Sequence, residues 1–455
     1  MRKDKIDMTT GNPLYRILVF SVPLVFSNLL QQLYSLTDSV IVGRYAGLNA
    51  LASIGGTGWV RWALLGVCTD CAIGFGIAAS QRIGAGDQRG FRKIIAAAIE
   101  FGCAGGILLT LIFRLLVDDI TTALQIEASI LPQARLYLSY MVMALPITLL
   151  YNLICAILRS NGNSTGPFLS VVFSSGLNVV LDLYLVAYLN KGIQGAAQAT
   201  VFSQMISLAI VVFLMVRDDS YHIEKNDWTP DYVLFFETVK LWGPLFFNSI
   251  VLAVGGVIVD SRVNMQGPAI AAGIAAASRC YSFLETIEKA VCSGVSVYVG
   301  QNYGAEKPDR ISVGMKYMAA FAFLFSGALA VVLLTLGDPM LRLFIGEAED
   351  PTVAKTALEA AWIYIHVNCI GVFFMVPMHI FRAALQSLGH AGYTLLAACI
   401  QLGARCFAAF WLMEWFGLAG LCTDNGLASL ICMPVIFIPY FRYMRQELSK
   451  KHMRN

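Results

Sequence analysis

The chain has 455 residues, of which 57% are hydrophobic and 13% are charged, and its mean hydropathy is +0.67. This composition argues against a soluble globular protein, and a formal net charge of +3 is too small to indicate a nucleic-acid partner. A helix needs about 20 mostly apolar residues to span a bilayer. Runs of that length without any charged residue occur at 17–37, 136–158, 193–216 and 317–337. We therefore predict an all-α polytopic membrane protein.

Apolar windows and the turn residues between them predict twelve transmembrane helices, numbered here as spans 1 to 12. Charged residues interrupt spans 2 and 8, so we expect these two helices to face protein or water instead of lipid. The interrupting charges are Arg61 and Asp70 in span 2, and Arg279, Glu285, Glu288 and Lys289 in span 8. The predicted spans are 14–43, 54–81, 94–116, 133–157, 167–189, 193–216, 235–261, 269–301, 315–337, 359–386, 393–414 and 417–440.

Basic residues mark one side of the membrane. Lys and Arg cluster before span 1, between spans 2 and 3, between spans 8 and 9, and after span 12. The positive-inside rule makes these regions cytoplasmic, and an even number of spans then places both termini inside. The first apolar run is too long for a cleaved signal peptide, so we expect it to remain as span 1. The expected location is the cell (plasma) membrane.

The chain contains an internal repeat. Four short motifs recur in the same order at a nearly constant offset, which chance does not readily produce. Gln81–Ala85 matches Gln301–Ala305 at an offset of 220 residues, Leu158–Gly162 matches Leu385–Gly389 at 227, Gly192–Gly195 matches Gly417–Gly420 at 225, and Pro23 lies opposite Pro244 at 221.

Each half of the repeat holds six spans, and because six is even, both halves enter the membrane in the same orientation. A parallel repeat of this kind is common among secondary transporters. We predict two pseudo-symmetric six-helix lobes, the N-terminal one at 1–216 and the C-terminal one at 235–443. A solvated cytoplasmic linker at 217–234 joins them, and a cytoplasmic tail follows at 444–455.

Span 5 carries Asn178 and Asp182 four residues apart, a spacing that puts both side chains on one face of a helix. A carboxylate at the centre of a membrane helix costs about 3 kcal/mol on insertion scales, so such a residue usually faces a cavity or a partner and is a candidate functional site. At an offset of 227 the second-half equivalents are Arg405 and Ala409. Because the carboxylate has no counterpart there, we predict that ion coupling resides in the first lobe.

Span 1 offers the best partner for this face, because Gln31, Tyr34 and Asp38 recur at helical spacing below Pro23. Two carboxylates that share a low-dielectric pocket cannot both stay ionised cheaply, so a proton can bind and leave within a transport cycle. The same oxygens can alternatively hold Na⁺, since hard cations favour oxygen ligands. Proline leaves one backbone hydrogen bond unmade, so a bend at Pro23 would let span 1 rearrange.

Together these motifs resemble those of the multidrug and toxic compound extrusion (MATE) transporters, and more narrowly their prokaryotic DNA-damage-inducible branch. The resemblance covers essentially the whole chain. It implies a V-shaped pair of six-helix lobes that exports amphipathic, often cationic organic compounds in exchange for a cation. It also implies a coupling site at Asp38, Asn178, Asp182 and Thr200, and a bendable proline at Pro23. The motifs that carry it are Pro23, the face of Gln31, Tyr34 and Asp38, Leu158–Gly162, Asn178 with Asp182, and Gln301–Ala305.

Another branch of the family places extra acidic residues on spans 7 and 10. Span 10 of this chain carries His366 and His379 but no acidic residue in its apolar core, and only Asp260 lies near the end of span 7. This departure argues against coupling in the second lobe. We expect Asp260, Arg405 and Asp424 to form a charge-neutralised structural cluster, with a functional cluster as the alternative.

Each site residue also has a purely structural interpretation. Asp38 and Asp182 could form a buried polar network that only orders the first lobe, Thr200 could bond to its own helix backbone, Gln31 and Tyr34 could pack instead of lining a substrate cavity, and Pro23 could be an incidental kink.

The leading hypothesis is an antiporter that exports drugs in exchange for H⁺ or Na⁺. A flippase for a lipid-linked saccharide or another lipid-like substrate is the alternative. Spans beyond twelve and a strongly cationic cavity would favour the flippase, and the chain offers neither clearly. An enzyme would need a nucleophile with its base or a metal cluster at membrane depth, and a channel suits one asymmetric acidic site less well. We expect no enzymatic activity, no cofactor, small organic substrates and the bilayer as partners, and a monomer. The only expected metal is Na⁺, as an alternative to H⁺, at Asp38, Asn178, Asp182 and Thr200.

Overall fold

The structure of the protein, a computed structural model, describes residues 5–123, 126–229, 231–345 and 351–454. Within these ranges the chain is almost entirely helical and contains no β-strand. The helices of the first half are α1 Pro13–Ile41, α2 Leu48–Gly56, α3 Gly58–Gly84, α4 Gln88–Ala123, α5 Leu131–Met143, α6 Leu145–Ser160, α7 Thr165–Asp182 and α8 Gly192–Val216. The helices of the second half are α9 Tyr232–Asn264, α10 Pro268–Gly304, α11 Pro308–Ile345, α12 Pro351–Ser387, α13 Gly392–Phe407, α14 Met413–Leu421 and α15 Asp424–Arg454.

Three of these helices continue directly into a short π-helix. The π-helices are Val42–Ala46 after α1, Leu183–Tyr188 after α7 and Ala408–Leu412 after α13. Such segments insert an extra residue into a helical turn and occur often at functional sites.

The helices account for the predicted spans. Ten helical stretches of the described chain are long and apolar enough to cross a membrane, and the bent pair α5 and α6 makes an eleventh. Helix α10 has 37 residues, which is enough for a twelfth span, but four charged residues lie in its middle, as expected for span 8. The prediction of twelve helices in two sets of six is confirmed.

Span 4, predicted at 133–157, consists of two helices with a bend between them. Helices α5 and α6 meet at an angle of 45° around Ala144. Pro146 has no N–H, so it cannot donate to the Val142 carbonyl. The hydroxyl of Thr110 on α4 donates to that carbonyl at 3.1 Å instead. A side chain of the neighbouring helix therefore stabilises the bend.

Spans 2 and 12 begin later than predicted. Helix α3 begins at Gly58 instead of residue 54, because the chain turns out of α2 at Thr57. Helix α15 begins at Asp424 instead of residue 417, because Gly417 adopts a positive φ of 61° that interrupts the helical path.

The repeat is visible in the helices themselves. Helix α7 with its π-helix corresponds to α13 with its π-helix. The starts Thr165 and Gly392 are 227 residues apart, but the ends Asp182 and Phe407 are 225 apart. Counted from the helix ends, the counterpart of Asp182 is thus Phe407 instead of Ala409. Neither residue is acidic, so the second half lacks the carboxylate by either alignment.

Residue contacts divide the chain into two compact units. The first unit comprises Met1–Met8 and Val19–Ser249, and the second comprises Thr9–Leu18 and Ile250–Asn455. Residues of α1 therefore belong to both units, and the division falls at Val19. The carbonyl of Val19 would accept a hydrogen bond from the N–H of residue 23, but Pro23 has no N–H. The predicted lobe boundaries at 216 and 235 stay a prediction.

His222 and most of the charged residues around it are exposed, as predicted, but two residues of the linker pack on the first unit. Tyr221 and Asp227 are buried, and Asp227 accepts a hydrogen bond from Nε of Arg92 on α4 at 2.8 Å. Burial by itself would raise the pKa of the Asp227 carboxyl, but hydrogen bonds from the Glu224 backbone and from Arg92 outweigh it and hold that pKa below its usual range. The stabilising contribution of this ion pair is therefore complete above the usual carboxyl pKa of about 4, and it is lost as the pH falls through the lowered value.

Gly162, from one of the repeat motifs, fixes the N-terminal segment to the first unit. Its φ is +78°, and its carbonyl accepts a hydrogen bond from the Ile6 N–H at 3.1 Å. A Cβ at this position would lie 2.2 Å from the Ile6 carbonyl oxygen. The repeat counterpart Gly389 has a φ of +90° but open space around it. Both positions need the backbone freedom of glycine, whereas only Gly162 also needs the absence of a side chain.

The Gly162→Ala and Gly389→Ala variants separate these two requirements. We expect Gly389→Ala to lower the free energy of unfolding by about 1–2 kcal/mol, the cost of a left-handed conformation for alanine. Gly162→Ala should cost roughly 1–3 kcal/mol more, because the Ile6 backbone must move. Thermal unfolding in detergent, together with protease cleavage of the N-terminal segment, measures both effects. Equal losses in the two variants would show that the approach of Ile6 is not needed.

Candidate cation-binding site

Two aspartates meet inside the first unit. Asp38 lies on α1 and is 7% exposed, and Asp182 is the last residue of α7 and is 0% exposed. Their side chains lie within hydrogen-bonding range of each other. A π-helix follows each aspartate within one turn, and the two π-helices are in contact. The carboxyl pair therefore lies where α1 and α7 both leave regular helix geometry.

The carboxyl pair lacks hydrogen-bond donors. No donor among the described residues reaches either carboxylate oxygen of Asp182 or Oδ1 of Asp38. The side-chain amide of Asn178, one turn before Asp182 on α7 and 2% exposed, is also unbonded at both atoms within the described chain. Ionised carboxylates only accept hydrogen bonds, so two of them attract each other only through a proton or a cation between them. The pair is thus arranged to take up positive charge.

Arg61 and two tyrosines border the pair. Nη1 of Arg61 donates to the hydroxyl of Tyr137 at 3.1 Å, and Tyr137 is 2% exposed. Asp38 and Tyr34 lie within electrostatic reach of the Arg61 guanidinium. One arginine opposite two ionised aspartates leaves one negative charge uncompensated. A single proton or monovalent cation therefore neutralises the site.

Arg61 and Tyr137 were not assigned to the site from the sequence. Arg61 was predicted only to keep span 2 away from lipid, although a charge inside a membrane helix was the signal that could have identified it. Tyr137 gave no such signal, because a tyrosine in an apolar helix is ordinary.

The other predicted site residues occupy different surroundings. Thr200 lies on α8, which packs against α7, and its hydroxyl donates to the carbonyl of Ala196 at 3.1 Å. Within the described chain no hydrogen bond joins Thr200 to Asn178 or Asp182. The hydroxyl proton of Thr200 thus bonds within its own helix, whereas its oxygen can still accept or coordinate. The coupling role of Thr200 stays a prediction.

The span 1 face is only partly enclosed. Tyr34 is half-buried and lies close to both aspartates, whereas Gln31 is exposed on α1. Pro23 lies inside α1, and its carbonyl accepts a hydrogen bond from the Ser27 hydroxyl at 3.0 Å. The substrate-cavity role of Gln31 and Tyr34 and the hinge role of Pro23 stay predictions.

In the second unit Arg405 connects three helices. Its Nη1 donates to the Leu252 carbonyl of α9 at 3.2 Å, and its Nη2 donates to Oδ1 of Asn425 on α15 at 2.7 Å. Its Nε lies 3.9 Å from a carboxylate oxygen of Asp424, which Asp260 also approaches. This guanidinium is engaged in holding helices together, in agreement with the structural interpretation of the cluster.

The fold and the site define a class of protein. A membrane protein of twelve helices, built from a duplicated six-helix unit with one buried carboxyl pair, has the plan of a secondary transporter. The chain belongs to the MatE family, whose sequence model matches residues 23–184 and 244–411, one stretch in each half of the repeat. The family resemblance proposed from the motifs is confirmed.

Relatives and solved structures agree with this family. The chain is 26% identical over 463 aligned positions to the probable multidrug resistance protein YpnP of Bacillus subtilis, with 98% of both chains covered. It is 23% identical over 435 positions to the multidrug export protein MepA of Staphylococcus aureus, with 95% of this chain and 94% of that protein covered. A crystal structure of MATE in complex with MaL6 superposes with a TM-score of 0.89 at 19% identity, covering 99% of this chain and 100% of the other. At that identity the structural likeness shows the fold alone.

An unpartnered buried carboxylate should cost stability, so removing its charge should stabilise the protein. We expect Asp182→Asn to raise the free energy of unfolding at pH 8 by about 1–3 kcal/mol, because the amide ends the repulsion and donates to Asp38. The matched control Asp227→Asn, at the buried aspartate paired with Arg92, should instead lower it by about 1–3 kcal/mol. Thermal unfolding in detergent tests both. Loss of stability in both variants would mean that Asp182 has donors of its own.

Proposed function

We propose that the protein is a cation-coupled antiporter that exports amphipathic, often cationic organic compounds by alternating access. The observation that supports this most directly is the buried pair of Asp38 and Asp182, which no donor of the described chain satisfies. The names of the relatives support the substrate class, since YpnP is a probable multidrug resistance protein and MepA a multidrug export protein.

The net charge of the site couples ion binding to substrate binding. With both aspartates ionised and Arg61 beside them, the site carries one net negative charge. A proton shared by the two carboxyls removes that charge. Na⁺ does the same when oxygens of Asp38, Asp182, Asn178 and Thr200 surround it, because hard cations take oxygen ligands. Either ion turns two repelling side chains into an attractive pair and draws α1 toward α7.

This change in charge connects the ion to the substrate. A negative site favours an organic cation, and a neutral site does not, so ion and substrate exclude one another. A ligand shifts a conformational equilibrium only by its difference in affinity for the two states. In this proposal the two states differ in the conformation of α1. Pro23 leaves one backbone hydrogen bond of α1 unmade, next to the division between the two units at Val19, so α1 can bend there.

The remaining features of the proposal follow from topology and family. The protein acts in the cell membrane with both termini in the cytoplasm, as a monomer, without a cofactor and without enzymatic activity. A flippase for a lipid-linked saccharide is less well supported, because the relatives are multidrug transport proteins and the span count stays at twelve.

Efflux of a fluorescent organic cation from proteoliposomes tests the proposal, with a pH gradient and a Na⁺ gradient imposed separately. We expect one gradient to drive export by the wild type. We expect Asp38→Asn and Asp182→Asn to lose gradient-driven export by about 100-fold or more, since neither variant can exchange the coupling charge.

The control is Asp338→Asn, which removes a carboxylate that pairs with Arg342 on the same helix at 2.7 Å and that also interacts with Trp362 on α12. It should export at the wild-type rate. Wild-type export by both aspartate variants would make the pair structural. Absence of export by the wild type under either gradient would refute the antiporter and leave the flippase as the alternative.

A further inference from the structure

We propose that Glu288 and His379 form a second proton-binding site, in the second unit, which releases its proton when a cationic substrate binds. The inference rests on the proposed export of organic cations and adds a second exchange site to it. Glu288 lies on α10 and His379 on α12, two helices that pack against each other.

The geometry at Glu288 is that of a half-satisfied buried carboxylate. Oε1 of Glu288 lies 2.6 Å from Nδ1 of His379, and the glutamate is 2% exposed. Oε2 of Glu288 has no hydrogen-bond partner within the described chain. A buried charge with one oxygen unbonded is costly for a purely structural pair. The Glu288 charge is therefore only partly compensated, so a positive charge on the neighbouring His379 would stabilise the pair.

The histidine supplies the exchange route. An ionised carboxylate can only accept, so Nδ1 of His379 donates to Glu288 and Nε2 is left as the basic nitrogen. The His379 side chain is 19% exposed, whereas that of Glu288 is 2% exposed. A proton that arrives at Nε2 makes an imidazolium held directly against the glutamate. No other residue need move for the proton to bind.

The charges around the pair sum to zero, so one added proton changes the net charge of the cluster from zero to +1. Lys289 pairs with Glu285 at 3.1 Å, one turn away on the same helix. Arg382, one turn after His379 on α12, carries the charge opposite to that of Glu288, and both residues lie near the Cys292 thiol. Nη1 of Arg382 is unbonded within the described chain. Protonation of His379 therefore leaves this cluster with one net positive charge. A cationic substrate nearby then binds less well, which is the exchange that export requires.

Other ionisable groups lie close to the pair. The Cys292 thiol, the Tyr281 hydroxyl and Lys289 lie near Glu288, and Glu285 lies near His379. The thiols of Cys292 on α10 and Cys432 on α15 lie near Arg382, Asp424 of α15 lies near Tyr281 of α10, and Arg405 of α13 lies near Glu285. On α11, Asp309 pairs with Lys451, Arg310 with the Thr10 carbonyl and Arg342 with Asp338.

Proton release on substrate binding tests the proposal. Tetraphenylphosphonium is added to the purified full-length protein in weakly buffered detergent solution between pH 5.5 and 8.5, and the protons released per bound molecule are recorded with an indicator dye. We expect His379→Gln to lower the maximal release to about half that of the wild type if the first site exchanges H⁺, and to abolish it if the first site exchanges Na⁺, since one linked proton site is lost. Glu288→Gln should do the same and should also keep the fold, because its amide oxygen still accepts from His379.

The matched control is His366→Gln, on the same helix, whose imidazole Nδ1 lies 2.7 Å from the Trp362 carbonyl. It should release as many protons as the wild type. Wild-type release by both His379→Gln and Glu288→Gln would overturn the second site. Failure of the proposed function is distinguishable, because the wild type then binds no tetraphenylphosphonium.

Discussion

One electrostatic constraint governs the site: two carboxyl groups face each other in a low-dielectric interior, and within the described chain no donor reaches Asp182 or Oδ1 of Asp38. In water such a pair is harmless, but inside a helix bundle the repulsion is screened little and neither charge is hydrated. Arg61 offsets one of the two charges and leaves the other uncompensated. The first unit is therefore incomplete without one extra positive charge. A π-helix follows each of Asp38 and Asp182, so the uncompensated charge lies where α1 and α7 depart from regular α-helical geometry.

The duplication of the fold contrasts with the asymmetry of its chemistry. Helices α7 and α13 both end in a π-helix, yet the first ends at Asp182 and the second at Phe407. The buried charge of α13 is instead Arg405, which donates to a backbone carbonyl and to Asn425 and so holds helices together. The duplication accounts for the similar backbones of the two halves. The side chains differ: Asp182 belongs to the proposed ion site, whereas Arg405 holds helices together.

The sequence was sufficient for the fold because a membrane imposes length, apolarity and charge rules on every span. It was sufficient for the pairing of Asp38 with Asp182, because intramembrane carboxylates are few and their helical spacing is plain. It did not reveal Tyr137 or the donor to Val142, since these depend on contacts between distant helices. Glu288 and His379 were missed for a related reason: acidic residues were sought within spans 7 and 10, whereas this acid reaches span 10 from span 8. The burial of Asp227 in the linker was not foreseen, because its partner Arg92 lies on α4.

The most direct test of the central claim is an infrared difference spectrum between the ion-loaded protein and the protein saturated with an organic cation. If the ion is H⁺, we expect a protonated-carboxyl band of the ion-loaded protein to disappear when the organic cation binds. If the ion is Na⁺, we expect the carboxylate bands to shift. Either signal should be absent in Asp38→Asn/Asp182→Asn. A difference spectrum that keeps the same carboxyl signal in the double variant would contradict the claim, because the exchanged charge would then lie elsewhere.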